Sequence, residues 1–214
     1  MNDIATKILA DLFDRRPELI PCRSSLQTAF AALEACFRGG NKLLVCGNGG
    51  SAADSEHIVG ELMKGFRSRR PLPEPRVERL RRLYGEEGAT IALRLQGALP
   101  AISLVSQVSL CTAISNDVSS DMVFAQQVYG YGRSGDALIA ISTSGGAANA
   151  INAVKVARAL EMRTIVLTGG GGALGELSEI TIGVPGIDTA AIQEYHMAVY
   201  HGLCAALEAE MFPE

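Results

Sequence analysis

The chain has 214 residues, of which 48% are hydrophobic and 20% charged, with a net charge of −4. That balance suits one globular domain with an ordinary core and excludes a disordered chain. No Trp occurs, aromatics make up only 5%, and there is no basic excess, which argues against nucleic acid as a partner.

Residues 1 to 39 read as helix. Leu9, Leu12 and Phe13, then Leu26, Phe30, Leu33 and Phe37, recur at helical spacing, with a break near Pro17 and Pro21. The opening stretch MNDIATKILADLFDRRPELI carries early acids and no apolar centre flanked by basic residues, unlike a secretory leader. No run of 18 apolar residues predicts a membrane span. The glycines of RGGN (Arg38 to Asn41) end the second helix.

KLLVCG (Lys42 to Gly47) predicts the first strand, and GNGGS then leads into a helix over SAADSEHIVGELMKGF. Residues 67 to 97 break the rhythm, with seven Arg between Arg67 and Arg82 and three prolines. This segment reads as an insertion. It is either a solvated helix with pairs such as Glu78–Arg82 or a basic flap over a phosphate.

PAISLVS (Pro100 to Ser106), DALIAIS (Asp136 to Ser142), RTIVLTG (Arg163 to Gly169) and ITIGVP (Ile180 to Pro185) predict four further strands. Helical stretches follow, among them Ala148 to Met162 and a long final helix from Ala190 to Glu210. The strands are near-continuous apolar runs, the mark of parallel strands covered on both faces. The expected class is α/β: a three-layer α/β/α sandwich with a five-stranded, mainly parallel sheet and N-terminal helices, forming one domain over 1–214. Ligands in such sheets sit at the carboxyl ends of the strands. The five cysteines are odd in number and never form a CxxC pair, which points to reduced thiols in a cytoplasm.

Two turns share one logic. GNGGS follows the first strand, and STSGG (Ser142 to Gly146) follows the third. Each offers small residues, hydroxyls and backbone N–H groups at a helix start, a setting suited to an anion. Neither matches the dinucleotide or P-loop pattern. Either alone reads equally well as a tight turn with helix caps.

His57 and Glu61 are four residues apart on one helix and so share a face. That spacing suits a metal and equally a surface ion pair. Gln193 and His201, eight apart on the final helix, also project to one side. All three histidines (His57, His196 and His201) lie in these two helices. Histidine serves both acid–base chemistry and metal binding near neutral pH.

The motifs CGNGGSAAD-EH---E, ISND, GD-LIAISTSG, LTG and IQE-H--V-H together resemble the sugar isomerase (SIS) domain family, in its phosphoheptose isomerase branch. The resemblance spans residues 1 to 211 apart from 67–97. It implies a ketose–aldose isomerase acting on sedoheptulose 7-phosphate. Ser51, Ser142, Thr143 and Ser144 would hold the phosphate. Asn48, Gly49 and Gly50 would line the sugar, and Asn116, Asp117 and Gln193 would contact it. His57, Glu61, Gln193 and His201 match the family's zinc ligands, and Glu61 and His201 match its acid–base pair.

A ligating group is not freely basic, so two roles compete at Glu61 and His201. Ala147 replaces a serine of the family's phosphate turn, and Gly65 stands where an arginine is common. Both departures bear on substrate identity. The family also implies a homo-oligomer, expected to be a tetramer. The rival reading is a non-catalytic scaffold or sugar-phosphate sensor of the same fold, which would have no reason to keep both Glu61 and His201.

Overall fold

Five short apolar runs pair as parallel strands. In this computed structural model, which describes residues 1–213, they are β1 (Leu43–Gly47), β2 (Ala101–Ser103), β3 (Ala137–Ile141), β4 (Arg163–Thr168) and β5 (Ile180–Gly183). Glu214, the last residue of the expected domain, lies outside the described residues. The sheet order is β2-β1-β3-β4-β5, and every pairing is parallel. β2 is much shorter than its apolar run suggests. Its hydrogen bonding to β1 ends with Leu104 N on Val45 O at 2.9 Å, and the chain then turns towards the next helix.

Side chains alternate between the sheet's two faces. Leu43, Val45, Ile139, Ile141, Ile165 and Leu167 face one core, shared with helices α1 (Asp3–Arg15), α2 (Arg23–Arg38), α3 (Gly50–Met63) and α9 (Thr189–Met211). Leu44, Cys46, Leu138, Ala140 and Val166 face the other. That second core is closed by α5 (Val108–Asp117), α6 (Val123–Tyr131), α7 (Ala148–Ala159) and α8 (Gly172–Leu177). Three-residue-period turns at Pro17–Cys22 and Ser120–Met122 supply the remaining corners. Burial on both faces explains why the strands lack a polar alternation. Among the described residues, no helix is long and apolar enough to cross a membrane.

The strand order places a switch point between β1 and β3. From β1 the chain steps outward to β2, then returns to the other side of β1 and runs on to β4 and β5. Parallel sheets of this order bind ligands where the direction reverses.

The Arg-rich segment leaves and rejoins the domain through one neck. Gly97 N donates to Arg70 O at 2.7 Å, and Gly65 N donates to Gln96 Oε1 at 2.7 Å. Between them lies α4 (Glu74–Arg94), with Pro75 in its first turn. Gly85, at φ 58° and ψ −135°, breaks the helix and folds its second half back, bringing Gly88 against Leu80 O. Only Gly88 and Ala92 of α4 are buried. The solvated reading holds for Arg67, Arg69, Arg76, Arg79, Arg81 and Arg82, all exposed, but fails for Arg70, which is 0% exposed. Glu78 pairs with Arg81 at 3.0 Å rather than with Arg82.

An excursion closed at its base can be removed with little loss to the core. Replacing residues 73–94 by Gly-Ser-Gly is expected to leave the thermal midpoint within about 4 °C of the full chain, a shift of roughly 1 kcal/mol. Thermal denaturation followed by circular dichroism measures this. Loss of a cooperative transition would show that α4 belongs to the core.

Candidate active site

The phosphate-type turns sit side by side because their strands end level. Gly47 is the register partner of Ile141. Past Gly47 the chain must turn tightly, since a Cβ there would lie 2.5 Å from Ser51 O. Gly49 then takes φ 56° and starts α3. In the second turn Gly145 takes φ 67°, and a Cβ there would meet Gly171 O at 2.2 Å. Neither N-cap residue, Gly49 of α3 nor Ala147 of α7, caps its helix with a side chain.

Asn48 and Asn149 exchange two amide hydrogen bonds, of 2.8 and 2.9 Å, and so tie one turn to the other. Ser51 and Ser142 are buried, Thr143 is half-buried and Ser144 is exposed, its Oγ accepting from Gly146 N at 3.3 Å.

The residues of α3 and α9 meet beside the first turn. His57 Nε2 lies 3.1 Å from Glu61 Oε1 and 3.4 Å from His201 Nε2. Gln193 does not join them. Its carboxamide lies against Gly50, where a Cβ would come within 2.2 Å, and its Nε2 donates to Asp54 Oδ2 at 3.3 Å. Asn116 and Asp117 are also apart. They are exposed at the end of α5, with Asn116 Nδ2 donating to Asp117 Oδ1 at 2.8 Å.

Asp54 and Tyr200 complete the cluster, and sequence reasoning missed both. Tyr200 OH donates to Asp54 Oδ1 at 3.2 Å and lies 3.1 Å from His57 Nδ1. The phenol has one proton. With that proton on Asp54, the contact to His57 requires Nδ1–H to donate to Tyr200. In the neutral ring Nε2 is then the acceptor nitrogen, 3.1 Å from Glu61 Oε1 and 3.4 Å from His201 Nε2. Burial raises the pKa of Asp54 and, together with the Asp54 charge, that of Tyr200. Burial, then the adjoining His57, lowers that of His201, which favours its neutral, basic form at pH 7.

The donor set of two imidazoles and a carboxylate suits zinc. The separations of 3.1 and 3.4 Å bracket the edge of about 3.3 Å of a tetrahedron with metal bonds near 2 Å. His57 is the member that touches both of the others. Among the described residues, no three His, Cys, Asp or Glu side chains already close a cage. A groove of ≈ 780 Å³ opens beside His201, between α1 and α9, with Phe66 and Arg67 on its wall. It includes none of the serine-turn residues.

The SIS domain family model matches residues 21–82 and 79–169. A phosphoheptose isomerase of Shewanella baltica is 38% identical over 217 aligned positions, covering 100% of this chain and 93% of the relative. The solved phosphoheptose isomerase GmhA of Neisseria gonorrhoeae superposes with a TM-score of 0.73 at 32% identity, covering 94% of each chain. The phosphoheptose isomerase of Francisella tularensis gives 0.72 at 31% identity, covering 97% of this chain and 98% of that one.

The third histidine, His196, is 0% exposed, and neither ring nitrogen has a hydrogen-bond partner. Burial lowers its pKa from 6.5 to about 4. Between these values the unfolded chain takes up a proton that the folded chain refuses, so stability falls as pH drops from about 6.5 to 4. The loss attributable to His196 is about 3 kcal/mol. His196→Leu is expected to flatten the stability–pH curve in that window by about 1.4 kcal/mol per pH unit. Urea unfolding at pH 7, 5.5 and 4 measures it, and parallel curves for the two proteins would refute it.

Proposed function

The chain belongs to the SIS domain family and to its phosphoheptose isomerases, and on that footing we propose that it interconverts sedoheptulose 7-phosphate and D-glycero-D-manno-heptose 7-phosphate, a step towards nucleotide-activated heptose. One observation carries the reading. Glu61, His57 and His201 meet within 3.4 Å of their neighbours, and Gln193, on the same helix as His201, rests on the first turn at Gly50. A phosphate grip and a proton-transfer group thereby sit on adjoining structural elements.

Ser51, Ser142, Thr143 and Ser144 hold the phosphate, with the helix starts of α3 and α7 adding their dipoles. Asn48, Gly49, Gly50 and Gln193 face the sugar, whereas Asn116 and Asp117 lie apart from it at the end of α5. Binding energy from the phosphate then fixes the reacting carbons. Of Glu61 and His201, one removes the proton from C1 of the ketose, and an enediol forms. The other returns a proton to C2. The C1 hydroxyl gives up its proton and becomes the aldehyde, and the C2 carbonyl oxygen gains one. Tyr200 and Asp54 hold the His57 ring in one orientation throughout.

Zinc would be held by His57, Glu61 and His201, whose donor types fit it, while Gln193 stays on Asp54; Glu61 and His201 would serve the ion as ligands or the proton as free groups, not both at once. Such an ion, when bound, polarises the carbonyl and stabilises the negative oxygen of the enediol. We place the protein in the cytoplasm as a homotetramer. Exposed Ile4, Ile20, Val118 and Tyr129 give it apolar surface to bury between copies.

The test is turnover of sedoheptulose 7-phosphate by the wild type, Glu61→Gln and His201→Ala. Each variant is expected to lose about 10²- to 10⁴-fold in kcat, with affinity for the sugar phosphate within about threefold, since the serine turns are untouched. Near-native turnover by either variant removes the acid–base assignment. A wild type inactive on every C5–C7 ketose phosphate supports the scaffold reading instead. Protein purified without chelator is expected to hold about one zinc per chain. Less than about a tenth of that with full activity excludes the metal.

A further inference from the structure

Outside the site lies a second buried polar cluster that the reaction does not use. Arg70 and Glu208 are 0% and 2% exposed, and Arg70 Nε donates to Glu208 Oε1 at 2.8 Å. The two remaining arms of the guanidinium donate to main-chain carbonyls of α3: Nη1 to Leu62 O at 2.7 Å and Nη2 to Glu61 O at 3.0 Å. The Glu208 carboxylate also accepts from the backbone N–H groups of Phe66 at 2.7 Å, Arg67 at 2.8 Å and Ser68 at 3.2 Å.

We propose that Arg70 is a positioning residue for the isomerase site, acting with Glu208 as a buried clamp that sets Glu61 against His201. The inference rests on the reading that Glu61 and His201 move the proton. The last carbonyls of a helix have no partners within it. At α3 these carbonyls are those of Glu61, whose carboxylate reaches the site, and of Leu62 beside it. Arg70 supplies their donors and places a cation at the negative end of the helix dipole.

The other side of the clamp reaches His201. Glu208 lies seven residues after His201 on α9, two turns along the same face. The Phe66 amide that Glu208 holds belongs to a ring 5.6 Å from the His201 ring, tilted by 38°. A single ion pair therefore fixes the backbone under Glu61 and the ring that backs His201.

Two physical arguments separate positioning from mere support. A buried ion pair contributes little more to stability than apolar side chains of the same volume, so the pair is replaceable as far as folding goes. Its geometry is not replaceable. The planar fork of Arg reaches three acceptors at once, whereas Lys is a point charge on a flexible stem. Shifts on the order of 1 Å at a reacting group cost as much as about 10²-fold in rate.

The experiment compares wild type, Arg70→Lys and the double variant Arg70→Met/Glu208→Met. It measures thermal unfolding, kcat and KM for sedoheptulose 7-phosphate, and amide hydrogen exchange of Phe66, Arg67 and Ser68. The double variant is expected to unfold cooperatively, to lose at least about tenfold in kcat with KM within about threefold, and to exchange those amides faster. Arg70→Lys is expected to show the same loss of kcat while folded, and it carries the kinetic test should the double variant not fold. Wild-type kcat per folded molecule in either variant would overturn the proposal, as would unchanged exchange in the double variant. If the wild type turns over no sugar phosphate, the isomerase reading falls, and the exchange rates still decide whether the clamp holds the 66–68 backbone.

Discussion

The pairing of Gly47 with Ile141 in the parallel ladder is the constraint on which the site depends. Neighbouring parallel strands that end level send their following turns out at the same height. At a switch point those turns lead to helices on opposite faces, so nothing fills the space between them. The two serine-bearing turns occupy that position. Asn48 and Asn149 bridge it with paired amide bonds, which make the two helix starts a single rigid surface. Glycine is required where the turns double back: Gly47 against Ser51, and Gly145 against Gly171. A side chain at either place would force one helix away from the other.

The final helix serves both the core and the site. Its small residues let it approach α1 closely; a Cβ on Gly202 would lie 2.8 Å from Leu12 Cδ2. That close packing buries the polar side chains of Tyr200 and Glu208, each of which would be costly without partners. Tyr200 finds Asp54 and His57, and Glu208 finds Arg70 and a run of backbone N–H groups. Of the buried polar side chains of α9, His196 is left without one, which makes it the acid-sensitive point of the helix. The same spacing that packs α9 against α3 brings His201 to His57.

The parts of the molecule legible in the sequence are those set by local rules. Apolar runs marked each strand to within a few residues, and the Gly-rich turns follow the first and third strands as expected. The i, i+4 relation of His57 and Glu61 follows from helix geometry alone, and they are found 3.1 Å apart. Partners distant in the chain were not legible. Asp54 and Tyr200 are separated by 146 residues, Asn48 and Asn149 by 101, and Arg70 and Glu208 by 138. No short-range pattern links them. Arg70 stands among exposed arginines, and only its burial distinguishes it. The spacing of Gln193 to His201 placed both on one side of α9, yet two helical turns separate them, and Gln193 meets Asp54 before it reaches His57.

Arg70 also explains how a long insertion coexists with a precise site. Its main-chain carbonyl accepts from Gly97 N and closes the neck of the excursion. Its side chain points the other way, into the domain, onto Glu208 and the end of α3. Phe212 covers both parts, with its ring against Gly97 and 4.9 Å from the Arg70 guanidinium. Motion of α4 thus meets a backbone hydrogen bond and an aromatic cover before it reaches Glu61. Loop-closure entropy grows slowly with length once the ends are fixed. The segment beyond the neck is therefore free to vary in length and composition, while the contacts of Arg70 with Glu208 and the end of α3 stay as they are.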